Sequence, residues 1–326
     1  MNIHTENEIP ESIDSYVRHR LLQHLGFARK RFFLKPANAG LHSRVFFLDI
    51  EDEQPLVLKI IPKRNRFRSI ISCSRYLFQK GVPVPEIVCA HEDNRFFNRR
   101  GMHVMCEERI LGETLRGAER TPELIRHIAK FFARMHANTR DAWGSIYRGR
   151  QGELFNYLYA KSERKVQAWC AVNKTVPDRL RTKILAAMKS WRSAVDRIAV
   201  FSLSHGDPNP NNIIVSTGSK QLFLLDVGTV RYLPRAIDYY MLQGFFCFNN
   251  RAHETAFDAA YFHALSVEEQ HAFNTTNGFF KLYVLILFMH DLAIKFPKIT
   301  KDSPYYDEFI TMMPQVKNAI TEIVDV

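Results

Sequence analysis

Leu203-Ser204-His205-Gly206-Asp207-Pro208-Asn209-Pro210-Asn211-Asn212-Ile213-Ile214-Val215, with Leu224-Leu225-Asp226-Val227-Gly228 close behind it, is the stretch whose reading decides the fold. An acid at 207, an amide at 212 and a second acid between an apolar run and a glycine form an ordered set. A carboxylate at 207 can take a proton from a hydroxyl. The amide and the second carboxylate are hard oxygen donors, of the kind Mg²⁺ accepts when it already holds nucleotide phosphates. Taken singly, Asp207 and Asn212 are equally at home capping turns. Taken together they read as a site for moving a phosphoryl group from ATP.

The spacing suits that chemistry. Phosphoryl transfer asks for an aligned hydroxyl, neutralised oxygens and a held metal rather than covalent work by the protein. Pro208 and Pro210 fix two φ angles and remove two N–H donors, so 207–211 is a stiff loop. Ile213–Val215 and Leu222–Leu225, separated by Ser-Thr-Gly-Ser, read as a β-hairpin that brings Asn212 and Asp226 to one rim.

At these residues the chain resembles the aminoglycoside phosphotransferase and choline kinase branch of the protein-kinase-like superfamily. That branch writes His-Gly-Asp-x-x-x-x-Asn where protein kinases write His-Arg-Asp-x-Lys-x-x-Asn. Gly206 and Asn209 stand where a Ser/Thr kinase carries Arg and Lys. The resemblance implies an α+β, two-lobed protein-kinase-like fold, with a small antiparallel-sheet N-lobe and a larger, mainly helical C-lobe. It implies Asp207 as catalytic base, Asn212 and Asp226 as metal ligands, and ATP and Mg²⁺ as cofactors. It makes His205 a structural brace and Asp238 the buried acid that holds the catalytic loop from a following helix.

Upstream, apolar runs at 32–34, 45–50 and 56–61 read as strands after an amphipathic helix over 12–25. Between the first two, Pro36–Arg44 resembles the family's nucleotide loop, with Gly40 and Ser43 at matching places. Backbone N–H groups of such a loop can wrap phosphates, although one glycine also suits a plain hairpin turn. Lys59, in Leu-Val-Leu-Lys, resembles the lysine that grips the α- and β-phosphates. An edge-strand lysine reaching solvent is the plainer alternative. Here the chain departs from the family. The stretch matching the next helix, Ser69–Lys80, has no acid to pair with that lysine, which leaves Asp226 or an acid from elsewhere. His103–Leu115 resembles the strand and hinge between lobes, with backbone groups around Glu108 to Ile110 reaching adenine.

Thr121-Pro122-Glu123 is a helix start. The helix runs to His136, read as core or capping. Two further helices are expected over 151–170 and 178–198, and aromatic-rich helices over 239–297, with 305–326 closing the chain. His290-Asp291 reads chiefly as a buried polar pair, with a place facing substrate as the alternative. The expected organisation is an N-terminal helical extension over 1–29, an N-lobe over 30–108 and a helical C-lobe with the acceptor site over 109–326.

The bulk numbers narrow the class. With 326 residues, 46% hydrophobic and 24% charged, the chain is long enough for one large domain or two lobes. Five scattered cysteines without a Cys-x-x-Cys pair argue against a disulfide framework or a zinc site. The opening residues lack a basic and apolar signal pattern, and the apolar run Leu282–Met289 is too short to span a bilayer. A cytoplasmic protein is expected. The net charge of +11 favours anionic partners. From Leu56 to Pro85 there is no acid, yet Lys59, Lys63, Arg64, Arg66, Arg68, Arg75 and Lys80 occur. That stretch is either a solvated basic face or a patch for an anionic glycolipid, phosphate or membrane surface. No nucleic-acid motif accompanies it.

Three functions follow in order. The first is an ATP- and Mg-dependent phosphotransferase acting on a hydroxyl of a small molecule or sugar. Aminoglycosides are polycations, and the basic balance disfavours them as the acceptor. The second is a lipopolysaccharide or glycolipid sugar kinase, which Arg231 shortly after Asp226 also resembles. The third is a nucleotide-binding pseudokinase, suggested by the missing helix acid.

Overall fold

Lys59 is the exception in an otherwise apolar strand, Leu56–Ile61, in which Leu58, Ile60 and Ile61 are almost wholly buried. A strand buried on both faces needs cover on both faces. A computed structural model, which describes residues 11–37, 43–91, 103–173, 178–248, 250–295 and 306–325, supplies it with helices on either side of one sheet.

In chain order, α1 (Glu11–Tyr16), a π-helical turn (Val17–Leu21) and α2 (Leu22–His24) precede β1 (Phe32–Pro36), β2 (Arg44–Ile50) and β3 (Leu56–Ile61). Then come α3 (Arg64–Gln79), β4 (Ile87–His91), β5 (His103–Glu108), β6 (Gly112–Thr114) and α4 (Pro122–His136). Short strands β7 (Thr139–Arg140), β8 (Trp143–Ser145) and β9 (Gly149–Arg150) lead to α5 (Leu154–Val172), α6 (Asp178–Ser190) and α7 (Arg192–Asp196). The stretch from 201 to 233 holds β10 (Phe201–Ser204), β11 (Ile213–Ser216), β12 (Leu222–Leu224) and β13 (Arg231–Leu233). Four helices finish the chain: α8 (Ala236–Phe246), α9 (Arg251–Phe262), α10 (Val267–Lys295) and α11 (Tyr306–Asp325).

Residues 1–119 with 210–230 form one compact unit, and 120–209 with 231–326 a second. The first unit is built on an antiparallel sheet of order β1-β2-β3-β5-β4. The opening helix buries Ile13, Tyr16, Val17 and Leu21 against Leu34, Leu48, Leu58 and Cys106 on one face of that sheet. On the other face, Phe67 and Ile70 of α3 pack on Ile61 and Met105. Side chains alternate along a strand, so Lys59 shares the α3 side with Ile61 and, across the ladder, Met105. Helix α3 starts at Arg64, before the Ser69 at which the sequence reading begins it, because Phe67 already faces the sheet. A second sheet of order β12-β11-β6 completes this unit.

The second unit is mainly helical. Its small sheet runs β7-β10-β13-β8-β9, and β10 is buried along its whole length. Helix α4 is capped as its sequence requires: Leu124 N–H donates to Thr121 Oγ1 at 3.2 Å, with Pro122 at the first turn. Helix α10 is long and apolar enough, by length and composition, to cross a membrane. Its Phe279, Phe280, Leu282, Tyr283 and Val284 are instead buried in this unit's core.

Candidate active site

The loop after β10 is fixed by a buried acid. Asp238, in the first turn of α8 and fully buried, accepts hydrogen bonds from the backbone N–H of His205 at 2.6 Å and of Gly206 at 2.9 Å. Gly206 has φ +80°, a left-handed conformation that a side chain resists, so the turn depends on glycine there. The fully buried His136 donates no charge to this cluster. Burial holds its imidazole below the ordinary range, so it is neutral near pH 7. Its Nε2 lies 3.4 Å from Asp238 Oδ2, and its Nδ1 2.6 Å from the Tyr261 hydroxyl. Because the carboxylate can only accept, the N–H belongs on Nε2 and Tyr261 donates to Nδ1. His205, also buried, accepts from Asp207 N–H at 3.3 Å through Nδ1. Asn209 Nδ2 then donates to Asp207 Oδ1 at 3.1 Å. The chain from His136 through Asp238, His205 and Asn209 sets where the Asp207 carboxylate stands.

In the first unit the hairpin strands pair Ile213 with Leu224, and Leu225 N–H donates to Asn212 O at 2.8 Å. That places Asn212 and Asp226 together at the outer end of the hairpin. Asp226 itself is in the left-handed region, at φ 48°. Gly228 follows in a 3₁₀ turn that lies close on α3. A Cβ there would meet Ile70 Cγ1 at 2.9 Å, and Ser69 Oγ donates to Gly228 O at 2.9 Å.

Two ion pairs answer the missing helix acid. Lys59 Nζ pairs with Glu107, two residues along β5 from its register partner Met105 and therefore on the same sheet face. Both side chains are largely withdrawn from water, 16% and 8% exposed. Asp226 pairs with Arg66 instead, its Oδ1 and Oδ2 at 3.0 and 2.7 Å from Nη2. A cation in the first turn of α3 thus stands on the carboxylate, where the family pattern leads one to look for an acid on that helix. Glu107 is the functional candidate that sequence reasoning missed. Its signal was an acid near the end of β5, legible only once the β3–β5 register is known.

Around the end of β5, the N–H groups of Glu108 and Arg109 are spent on Glu86 O and Pro55 O, at 2.9 and 3.0 Å. Among the described residues the Ile110 N–H donates to no backbone carbonyl. The Glu108 side chain is exposed. Ser43 is half-buried at the edge of β2, and Gly40 lies outside the described residues.

The donor set fits a divalent metal held together with phosphates. Asn212 and Asp226 offer hard oxygens at one place, and a guanidinium already serves there as a stand-in cation. Mg²⁺ keeps waters and substrate oxygens and needs only one or two protein carboxylates, so a dedicated cage is not required. Among the described residues no group of three or more His, Cys, Asp or Glu forms such a cage. His290 and Asp291 are not a buried pair. They are 21% and 44% exposed, and Lys165 Nζ lies 3.0 Å from His290 Nδ1. A separate cavity of about 390 Å³ in the second unit, between α5, α10 and α11, is lined mostly by apolar side chains such as Trp169, Met289 and Met313. It holds none of these groups.

Comparison with known proteins agrees with this architecture. Residues 34–273 match the model of the phosphotransferase enzyme family (APH). Aminoglycoside phosphotransferase APH(4)-Ia is similar in structure, with a TM-score of 0.66 and 16% identity, covering 97% of this chain and 99% of that one. A variant of it has been solved in a ternary complex with AMP-PNP and hygromycin B. The Plasmodium vivax ethanolamine kinase matches with a TM-score of 0.60 and 15% identity, covering 93% of this chain and 87% of that one. Spectinomycin phosphotransferase APH(9)-Ia, in complex with ADP and spectinomycin, matches at 0.57 and 11%, covering 90% and 92%. A search of curated protein sequences finds no match. With the family model spanning 34–273 of its 326 residues, the chain belongs to the phosphotransferase enzyme family, and it is a phosphotransferase.

Proposed function

We propose that the chain transfers the γ-phosphoryl group of ATP, with Mg²⁺, to a hydroxyl of a small molecule or sugar. The observation that carries this reading is the buried Asp238 holding two consecutive backbone N–H groups, with Asn209 on the Asp207 carboxylate. A carboxylate so positioned accepts the proton as the acceptor oxygen attacks the γ-phosphorus. The bond to the β-phosphate oxygen breaks, ADP leaves and a phosphate monoester forms. Asn212 and Asp226 are the residues that would hold Mg²⁺, which when bound would neutralise charge on the phosphate oxygens. Lys59, kept in place by Glu107, would meet the α- and β-phosphates; Ser43 and Gly40 belong to the loop over them. Ile110 and the backbone near Glu108 would receive adenine. That structural relatives bind ADP or AMP-PNP supports the choice of nucleotide.

The pseudokinase reading rests on the acid missing from α3 and on Arg66 covering Asp226. Glu107 weakens it, because the lysine has a buried counter-ion after all. The net charge of +11 favours an anionic acceptor, such as a glycolipid sugar, over a polycationic one.

The test is transfer of γ-³²P from ATP into fractionated cell extract by wild type and Asp207→Asn. Loss of a positioned general base lowers the rate by roughly 10²–10⁴-fold. Label entering a small-molecule or glycolipid fraction only with wild type is the expected result. Equal labelling by both proteins, or none from wild type that still binds ATP, would end the reading.

A further inference from the structure

Strand β4 carries one residue more than its partner can match. Ile87 stands opposite Glu107, yet Cys89 stands opposite Cys106, Ala90 opposite Met105 and His91 opposite Val104. Two steps along β4 answer one step along β5, a β-bulge that takes up Val88 and leaves it exposed. The bulge changes which way the next side chain faces. Along a regular strand Ile87 and Cys89 would share a face. Here Ile87 and Ala90 both pack on the α3 side, against Ile61, Phe67 and Met105. Cys89 is turned to the other side, into the cluster of Leu48, Leu58 and Cys106 that the opening helix covers. In unbroken register it would oppose Met105 and face away from Cys106.

The bulge thus sets two thiols against each other. Residues directly opposite in an antiparallel pair have Cα atoms about 4.5 or 5.5 Å apart, and a disulfide bridges Cα separations of about 4.4–6.8 Å. Both cysteines are free, Cys89 7% exposed and Cys106 wholly buried. The Cys106 S–H donates to the Cys89 sulfur. That hydrogen bond is the main reason the Cys89 thiol lies below its ordinary range, and it holds the Cys106 thiol up. Attack on an oxidant needs a thiolate, and the hydrogen bond favours one at the sulfur nearer water. Among the described residues β4 has a sheet partner on one side only, so Cys89 lies on the strand of the two that opens more easily.

We propose that Cys89 and Cys106 are a modification site, a dithiol that a peroxide converts to a cross-strand disulfide within the existing register. The Cys89 thiolate attacks one peroxide oxygen and the O–O bond breaks. The hydroxide released takes up the proton that Cys89 gave up and leaves as water, and Cys89 becomes a sulfenic acid. The Cys106 sulfur then attacks the Cys89 sulfur, the S–O bond breaks, and the Cys106 proton departs with the hydroxide as a second water. Two thiols lose two electrons and one peroxide is reduced to two waters. The bridge lies on the sheet face away from Lys59, so it staples the edge strand without touching the Lys59–Glu107 pair.

The test treats the full-length native protein with hydrogen peroxide, blocks the remaining thiols by alkylation, and maps the cysteines by peptide mass spectrometry. The expected product is the Cys89–Cys106 peptide pair, lighter by two hydrogens than the two thiols, at least tenfold more abundant than any other intramolecular pair and removed by dithiothreitol. The same treatment in urea should lose that preference. Closing the segment between the two strands should raise Tm by roughly 3–6 °C. Cys89→Val keeps an apolar side chain on the edge strand and should show neither the pair nor the rise. Cys170, half-exposed in the second unit, is the competing thiol. Peroxide that modifies Cys170 while Cys89 and Cys106 stay free, or that joins Cys89 to another cysteine, overturns the site. A pair that forms only after unfolding, or one that leaves Tm unmoved, overturns it equally.

Discussion

Glu107→Gln should cost more stability than its position at the end of a strand suggests. Its partner Lys59 is 16% exposed and Glu107 8%, so the substitution leaves an ammonium largely out of water with only a neutral amide beside it. Breaking a buried pair by removing one charge costs about 3–5 kcal/mol. The residual exposure of Lys59 and the amide oxygen that remains lower this to about 2–4 kcal/mol. At a urea m-value near 3 kcal/mol/M, a loss of about 3 kcal/mol moves the unfolding midpoint by roughly 1 M. Lys59→Met should cost a comparable amount, and the double variant no more than the worse single one, since no unpaired charge is left. The same Glu107→Gln protein should bind ATP less tightly, because the lysine loses the group that fixes its position. A cost below about 1 kcal/mol, with single changes that add within about 0.5 kcal/mol, would refute the claim that this pair replaces the absent helix acid.

Two other consequences are open to measurement. The buried His136 has its folded-state pKa depressed by desolvation, so the stability linked to its neutral form is present above the ordinary histidine value near 6.5 and is lost as pH falls below it. Urea unfolding between pH 7.5 and 5.5 should lose up to about 1.4 kcal/mol per pH unit from this group, and His136→Gln should flatten that slope; an unchanged slope would count against it. Arg66→Gln removes the cation from Asp226, so Mn²⁺ binding without nucleotide, read by electron paramagnetic resonance, should tighten several-fold. Unchanged Mn²⁺ affinity would mean that Arg66 and a metal do not compete for the carboxylate.

The local shape of the stretches that carry the candidate residues was legible because it is set by short, contiguous sequence. Asp207, Asn212 and Asp226 lie on a proline-stiffened loop and a tight hairpin, whose local chemistry dictates their shape. The strands flanking Lys59 were equally clear, since an apolar run interrupted by a single lysine fits a buried strand that must find that charge a counter-ion. Glu107 was not legible, because its meeting with Lys59 depends on strand register, a property of pairing between segments distant in sequence. The strands of the second unit, mostly two to four residues long, are too short to establish a periodicity. His290 and Asp291 read as core because they sit in an apolar helix, yet one turn of that helix faces outward to meet Lys165.

The hairpin of β11 and β12 belongs to a unit whose other strands end before residue 120. Thr114 of β6 has no sheet partner until Ile214 has been synthesised. Some hundred residues, enough for several helices, must leave the ribosome between those two events. The N-terminal unit is thus complete only after much of the next one has emerged, and β10 waits in turn for β13 on the far side of the hairpin. Each unit is closed by chain that the other interrupts. The first unit cannot be cut out as residues 1–119 and keep β6 paired, and a nascent chain stopped near residue 120 would present β6 as an open edge to whatever strand it meets first.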